Sequence, residues 1–296
     1  MPPAELSFWF RDHFRVAGGK PEIISLPAVE GHVHTDFTDG LSAAEECAAR
    51  AADLDLEVIT FTEHVRKNAP WFEDYFSEIN RLKKHYSDRM KILCGVEARI
   101  TDAGGTLDAD EHMLRRADIV VASVHSLPPP GGAIEDLLIV RDAAETLHCE
   151  WDLLRGAMGN PAVDVIGHPF GAYHERYGDP PPTHARMLIA AAARAGKTLE
   201  INPRHTSVLW LIERGLDSGM DFLFLPASDA HHARDVGLAH REITRLIDER
   251  RRENPSTPRS PQPTVALEDT PKNVHPEPFP DSRNKPRTRH RPYDIK

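Results

Sequence analysis

The stretch "VEGHVHTDFTDGLSAAEE", Val29 to Glu46, reads as a strand that ends in His32 and His34, followed by Asp39 and then by a helix start. Ser42 and Glu45 have the S-x-x-E spacing of a capping box, and Cys47, Ala51 and Leu54 then recur at i, i+4 and i+7 on one face. A strand running straight into a helix is a βα unit. Six further apolar runs repeat the arrangement: "EVITFTEH" (57–64), "KILCGVEARI" (91–100), "IVVASVH" (119–125), "VDVIGH" (163–168), "TLEINP" (198–203) and "FLFLPASD" (222–229). Each precedes a stretch of helical pattern, so the expected fold class is α/β with a parallel sheet.

Most of these runs end in a histidine or a carboxylate. Together they supply His32, His34, Asp39, His64, Glu97, His125, His168, Asp229 and His231. In α/β barrels the side chains at the carboxyl ends of parallel strands converge on one face. Residues two apart on a strand share a face, so His32 with His34, and Asp229 with His231, can aim at one point. Any one strand-end histidine is accounted for by an ordinary hydrogen bond. Six histidines and three carboxylates together would be costly to bury unpaired, whereas divalent cations satisfy them jointly. Nine donors exceed the needs of one tetrahedral ion, so the expectation is two to three divalent metals, with zinc, manganese or iron all compatible.

The order H-x-H, Asp-Gly, "TEH", "GVE", "SVH", "GHP", "EIN" and "SDAH" resembles the PHP (polymerase and histidinol phosphatase) superfamily of metal-dependent phosphoesterases, over residues 29 to about 240. The resemblance implies a distorted seven-stranded (β/α)7 TIM-like barrel with all nine ligand positions filled. It also implies a grouping: His32, His34, Glu97 and Asp229 on a first metal, Glu97 bridging to a second held by His125 and His168, and Asp39, His64 and His231 on a third. Glu63 should point away from the lumen if Thr62 and His64 point in. The implied catalytic residues are His32, His34, Glu97 and Asp229, and the implied reaction is hydrolysis of a phosphomonoester. Histidinol phosphatases of the family often have His where this chain has Asp39, which weakens that one substrate assignment.

Substrate selection is expected from the loops on the same face. Arg99, Arg204 and Arg66 follow strand ends, and a guanidinium suits bidentate phosphate binding, so these are the candidate phosphate clamps, Arg204 and Arg99 foremost. His205 and His232 lie at the lumen edge and read as supporting or solvent-facing groups. The loops "SLPPPGGAIED" after His125 and "PFGAYHERYGDPPPTH" after His168 are long enough to shape a pocket. The expected substrate is a small phosphorylated metabolite, with histidinol phosphate as one example. Alternatives are a nucleotide or cyclic phosphodiesterase of the same fold, a C–N hydrolase of the amidohydrolase kind, and a non-catalytic scaffold. The central carboxylate Glu97 stands against the amidohydrolase, whose binuclear form is usually bridged by a modified lysine. Complete filling of the ligand positions stands against the scaffold. No G-x-S-x-G elbow or P-loop supplies a competing chemistry.

Acidic residues outnumber basic ones, 46 to 36, for a formal charge of −10. A stable nucleic-acid complex is therefore not expected. Cys47, Cys94 and Cys149 are far apart, without a C-x-x-C pair, which fits a reducing cytoplasm. No apolar run reaches membrane-spanning length, and no signal-peptide pattern opens the chain. Oligomeric state is not legible. Three segments are expected: an N-terminal cap over 1–25, in which Leu6, Trp9, Phe10 and Phe14 trace a short amphipathic helix on the barrel floor, a catalytic barrel over 26–250, and a tail over 251–296. The tail holds 10 of the 25 prolines and ten basic against six acidic residues, a composition that reads as disordered.

Overall fold

The computed structural model describes residues 3–6, 8–127, 142–205 and 208–252. The chain enters through a 3-10 turn at Ala4–Leu6, then β1 (Phe8–Trp9), the single turn α1 (Phe10–His13), and the hairpin β2 (Phe14–Ala17) and β3 (Lys20–Ile23). The alternating part follows: β4 (Val29–Val33), α2 (Ala44–Asp53), β5 (Val58–Val65), α3 (Phe72–His85), β6 (Lys91–Arg99), α4 (Glu111–Arg116) and β7 (Ile119–Ser123). It continues with α5 (Ala143–Gly159), β8 (Val165–Ile166), α6 (Gly171–Tyr177), α7 (Pro182–Ala195), β9 (Thr198–Ile201), α8 (Val208–Ser218), β10 (Leu223–Pro226) and α9 (Leu238–Arg252).

All seven anticipated runs form strands. β4 to β10 lie side by side in chain order, every neighbouring pair parallel, and β1 adds an eighth strand antiparallel beyond β10. The sheet curls until its ends meet past the strands: Val33 bridges to Ala230, the His34 amide donates to Ala230 O (2.9 Å) and the Ala230 amide to His32 O (3.1 Å). Helices cover the outside through apolar faces such as Phe72, Tyr75, Ile79 and Leu82 on α3, whose acidic first turn and basic last turn suit the helix dipole.

The interior has two storeys. Leu6, Val29, Val58, Leu93, Ile119, Val121, Val165 and Leu225 form a buried apolar cluster at the amino-terminal half of the strands. Four residues further along β6, two alternations past Leu93, the inward residue is Glu97, and histidines from neighbouring strands surround it. In β4 the pairing register shifts between Glu30 and Val33. A Cβ on Gly31 would stand 2.5 Å from the Leu225 side chain, so Gly31 faces the apolar storey. The irregularity then turns His32 and His34 inward directly above it, the re-aiming that a bulge provides.

Two local expectations are corrected. Residues 6–14 do not make one amphipathic helix. Leu6, Phe10 and Phe14 are buried as expected, but Trp9 is half exposed, and Phe8 and Trp9 pair with Phe224 and Leu223. A short helix carries an unfavourable nucleation cost, and the open edge of β10 offers backbone partners instead. The helix start behind the His-x-His motif comes one residue late: the Ala43 amide donates to Glu46 Oε2 (2.9 Å), while Ser42 Oγ accepts from the Ala233 amide (3.1 Å). The tail expected over 251–296 begins inside α9 with Arg251 and Arg252, and its remainder lies outside the described residues, as does most of the proline-rich loop after His125.

Candidate metal centre

The nine residues singled out in the sequence meet at the carboxyl end of the sheet. Glu97, buried on β6, is the hub. Its Oε2 lies 2.7 Å from His64 Nδ1, 3.4 Å from His34 Nε2 and 3.5 Å from His32 Nε2. Its Oε1 lies 3.0 Å from His125 Nε2 and 3.2 Å from His168 Nε2. Asp229 Oδ1 stands 3.1 Å from His34 Nε2 and 3.7 Å from His32 Nε2. Asp39 joins the outer side, with Oδ2 3.3 Å from His64 Nε2 and 3.4 Å from His231 Nε2.

Three sets of donor atoms lie close enough for one ion each: His34, Asp39, His64 and His231; His32, His34 and Glu97; and His64, Glu97 and His125. The expected grouping differs in detail. His34 reaches the Asp39 side as well as the Glu97 side, and His64, with one ring nitrogen toward Asp39 and the other toward Glu97, stands between two sets.

Whether cations fit can be tested on the cluster's own hydrogen bonding. Nε2 of His32 and Nε2 of His34 face each other at 2.9 Å. His34 Nδ1 and Glu97 Oε2 are fully buried and lack a hydrogen-bond partner, although three imidazoles crowd Glu97 Oε2. Protons alone do not complete this network, and buried polar atoms left so are rare. Lone pairs converging from imidazole and carboxylate are what a divalent ion accepts, so the donor set fits.

The electrostatics agree. Burial alone would push Glu97 up, but His125, His32 and His64 hold it well below the usual carboxylate range. Burial likewise opposes Asp229, which His32, His205 and His34 keep low. Burial, with His64 and His32 nearby, lowers His34 to about 3, leaving a neutral imidazole able to donate a lone pair. His64 moves the other way, to about 10, because Glu97 and Asp39 outweigh its burial.

Buried carboxylates outside the nine donors support the ring. Glu200 Oε1 lies 2.6 Å from His32 Nδ1, and its other oxygen accepts the His168 amide. Glu200 thus orients His32 from behind and ties it to the turn carrying His168. That turn is strained, with φ of +24° at His168 and +62° at Phe170. On its far side Glu150, from α5, accepts the amides of Ala172 (3.2 Å) and Tyr173 (2.8 Å). Glu30 accepts the Ser228 amide (2.8 Å) and the Gly237 amide (2.8 Å), anchoring the loop that bears Asp229 and His231. Glu63 turns away from the lumen as expected and accepts the Thr35 amide (2.8 Å) and hydroxyl (2.6 Å), with Thr38 also donating. It thereby fixes the loop that carries Asp39.

The candidate phosphate clamps are engaged elsewhere. Arg99 pairs with Asp108 (3.0 Å), Arg204 with Asp235, and Arg66 is exposed just beyond β5. His232 bonds to Ser42 Oγ (3.3 Å), away from the ring, whereas His205 touches it.

A curled α/β sheet with histidines and carboxylates gathered at its carboxyl end defines a protein with a candidate multi-donor metal site. The PHP domain matches residues 30–204, more than half of the chain, and the chain belongs to that family. It is similar to a probable phosphatase of Caldanaerobacter subterraneus subsp. tengcongensis, 28% identical over 228 residues that span 74% of this chain and 82% of the relative. A probable phosphatase of Acetivibrio thermocellus is 32% identical over 178 residues, 59% of this chain and 64% of that one. In fold it is similar to the histidinol phosphate phosphatase of Lactococcus lactis subsp. lactis, solved with zinc, L-histidinol and phosphate. That match has a TM-score of 0.53 and 21% identity, and it covers 76% of this chain and 94% of the other.

Proposed function

We propose that the protein is a metal-dependent phosphatase that hydrolyses the phosphomonoester of a small metabolite, with histidinol phosphate a fitting test substrate. The observation that carries this is the position of Glu97, a buried carboxylate with five imidazoles within 3.5 Å at the mouth of the sheet. We read the curled sheet as a distorted seven-stranded barrel over 26–250, with the first 25 residues as its floor.

His32, His34, Asp39, His64, Glu97, His125, His168, Asp229 and His231 would hold two or three divalent ions. Ions so held would neutralise charge on a phosphoryl group and make a water-derived nucleophile available near neutral pH. The chain's own work is positional. Glu200 sets the ring of His32, Glu63 sets the loop of Asp39, and the paired carboxylates Glu200 and Glu150 hold the His168 turn. Arg204, with Arg99 and Arg66, would receive the phosphate. Arg204 would exchange Asp235 for the substrate anion, which makes binding selective for a group that competes with a carboxylate. No described helix is long and apolar enough to cross a membrane, and no disulfide joins Cys47, Cys94 and Cys149. We place the protein in the reducing cytoplasm, where such thiols persist.

Phosphate release from a panel of amino-alcohol, sugar and nucleotide monophosphates, with and without a chelator, tests the reading. Release from one class that stops on chelation is expected. Cleavage only of diesters, or chelator-insensitive release, would contradict it.

A further inference from the structure

His205 stands outside the nine donors yet against two of them. It follows β9 in a short turn fixed from within, where the Arg204 amide donates to the buried Asn202 Oδ1 (2.9 Å) and the Arg204 guanidinium holds Asp235. From there His205 Nε2 reaches Asp229 Oδ2 at 2.6 Å. Its ring packs on that of His168, centroids 4.6 Å apart. Gly171 makes room for both: a Cβ there would lie 3.1 Å from His168 Nδ1 and 3.3 Å from His205 Cβ.

Asp229 divides its two oxygens. Oδ1 faces His34, His231 and His32 at 3.1, 3.6 and 3.7 Å, while Oδ2 faces only His205 among these rings. The Asp229 backbone is in the left-handed region, with φ of +48°, a conformation that a non-glycine residue keeps only when its surroundings impose it. An ionised carboxylate only accepts, so the proton in the 2.6 Å contact belongs to His205 Nε2.

We propose that His205 is a positioning residue for Asp229: its Nε2–H occupies Oδ2, fixes the carboxylate plane and leaves Oδ1 as the single oxygen presented to the metal centre. The inference rests on the metal-centre reading above. It distinguishes His205 from a tenth ligand and from a group that acts only on the substrate.

The test compares wild type, His205→Ala and His205→Gln. Each is stripped of metal, titrated with Mn²⁺ or Zn²⁺, and assayed for bound metal per chain by elemental analysis and for kcat and KM at saturating metal. His205→Ala should bind metal about 10–100-fold more weakly, the usual cost of losing such a supporting contact. It should keep the full stoichiometry once saturated and leave KM unchanged. His205→Gln, whose amide can still donate to Oδ2, should recover most of the affinity. Unchanged metal affinity in the alanine variant overturns the proposal, and so does permanent loss of one metal equivalent in both variants, which would make His205 a ligand. Wild-type protein that binds no metal would instead sink the metal-centre reading itself.

Discussion

The two storeys of the interior are built by the same strands and obey opposite rules. On β6, Leu93 packs into the lower cluster with Val29, Val58, Ile119, Val165 and Leu225, and nothing there needs a partner other than a neighbouring side chain. Four residues further along the same strand, Glu97 is equally buried but is surrounded by imidazoles that satisfy it incompletely. Apolar burial is complete in itself, whereas buried charge requires a matched set of groups. The lower storey therefore needs nothing beyond the chain, and the upper storey is organised for something the chain does not supply. The supporting carboxylates Glu30, Glu63, Glu150 and Glu200 reinforce the contrast, since each binds backbone amides of segments around the ring.

The division can be broken from either side. Glu97→Gln should reduce turnover to background and strip metal from the centre, a larger effect than the roughly 10–100-fold expected for residues that only support ligands, while the metal-free protein stays folded. Leu93→Ala should do the reverse: a loss of about 2–5 kcal/mol in unfolding free energy, with metal per chain unchanged. Denaturant titration and elemental analysis on both variants give the comparison. If Leu93→Ala lost metal in the folded state, the storeys would not be separable. Glu200→Gln sits between the two and should weaken metal binding about 10–100-fold, read from metal titration, because His32 loses a charged acceptor behind it.

The smallest effect concerns pH. Burial pushes Glu150 up to about 7 despite the amides of Tyr173 and Ala172, against an ordinary value of 4.5. A carboxyl with a raised folded pKa binds its proton more tightly when folded. Its contribution to stability is present below about 4.5 and is lost as pH rises through about 7. A net change on the order of 1–2 kcal/mol is expected over that window, given about 1.4 kcal/mol per unit and partial relaxation. In Glu150→Gln the slope of melting temperature against pH between 5 and 8 should flatten. Glu63, also raised to about 7 by burial, is unchanged in that variant, so the difference between the two curves isolates Glu150.

How much of this was legible in the sequence follows the same line. The seven strands, and the clustering of His and carboxylate side chains at their ends, were readable because a strand end that carries His or Glu marks itself, and because parallel strands bring their carboxyl ends together whatever the loops do. Glu200 and Glu30 were not assigned roles, since a carboxylate inside an apolar run does not announce which distant amide it will accept. The N-terminal segment misled through spacing: Leu6, Phe10 and Phe14 fit a helical face, and only the free edge of β10 turns Phe8 and Trp9 into a strand. Arg99 ends β6 and Arg204 follows β9, but their pairing with Asp108 and Asp235 depends on loops whose course no local pattern sets.

If the upper storey is a metal centre serving phosphate ester hydrolysis, its ions and its turnover must rise and fall together. The most direct measurement is metal per chain on purified protein, by elemental analysis, paired with phosphate release before and after chelation and re-addition of metal. Two to three divalent ions are expected, with activity lost on their removal and restored on their return. A folded protein that binds no divalent ion, even after reconstitution, would contradict that reading.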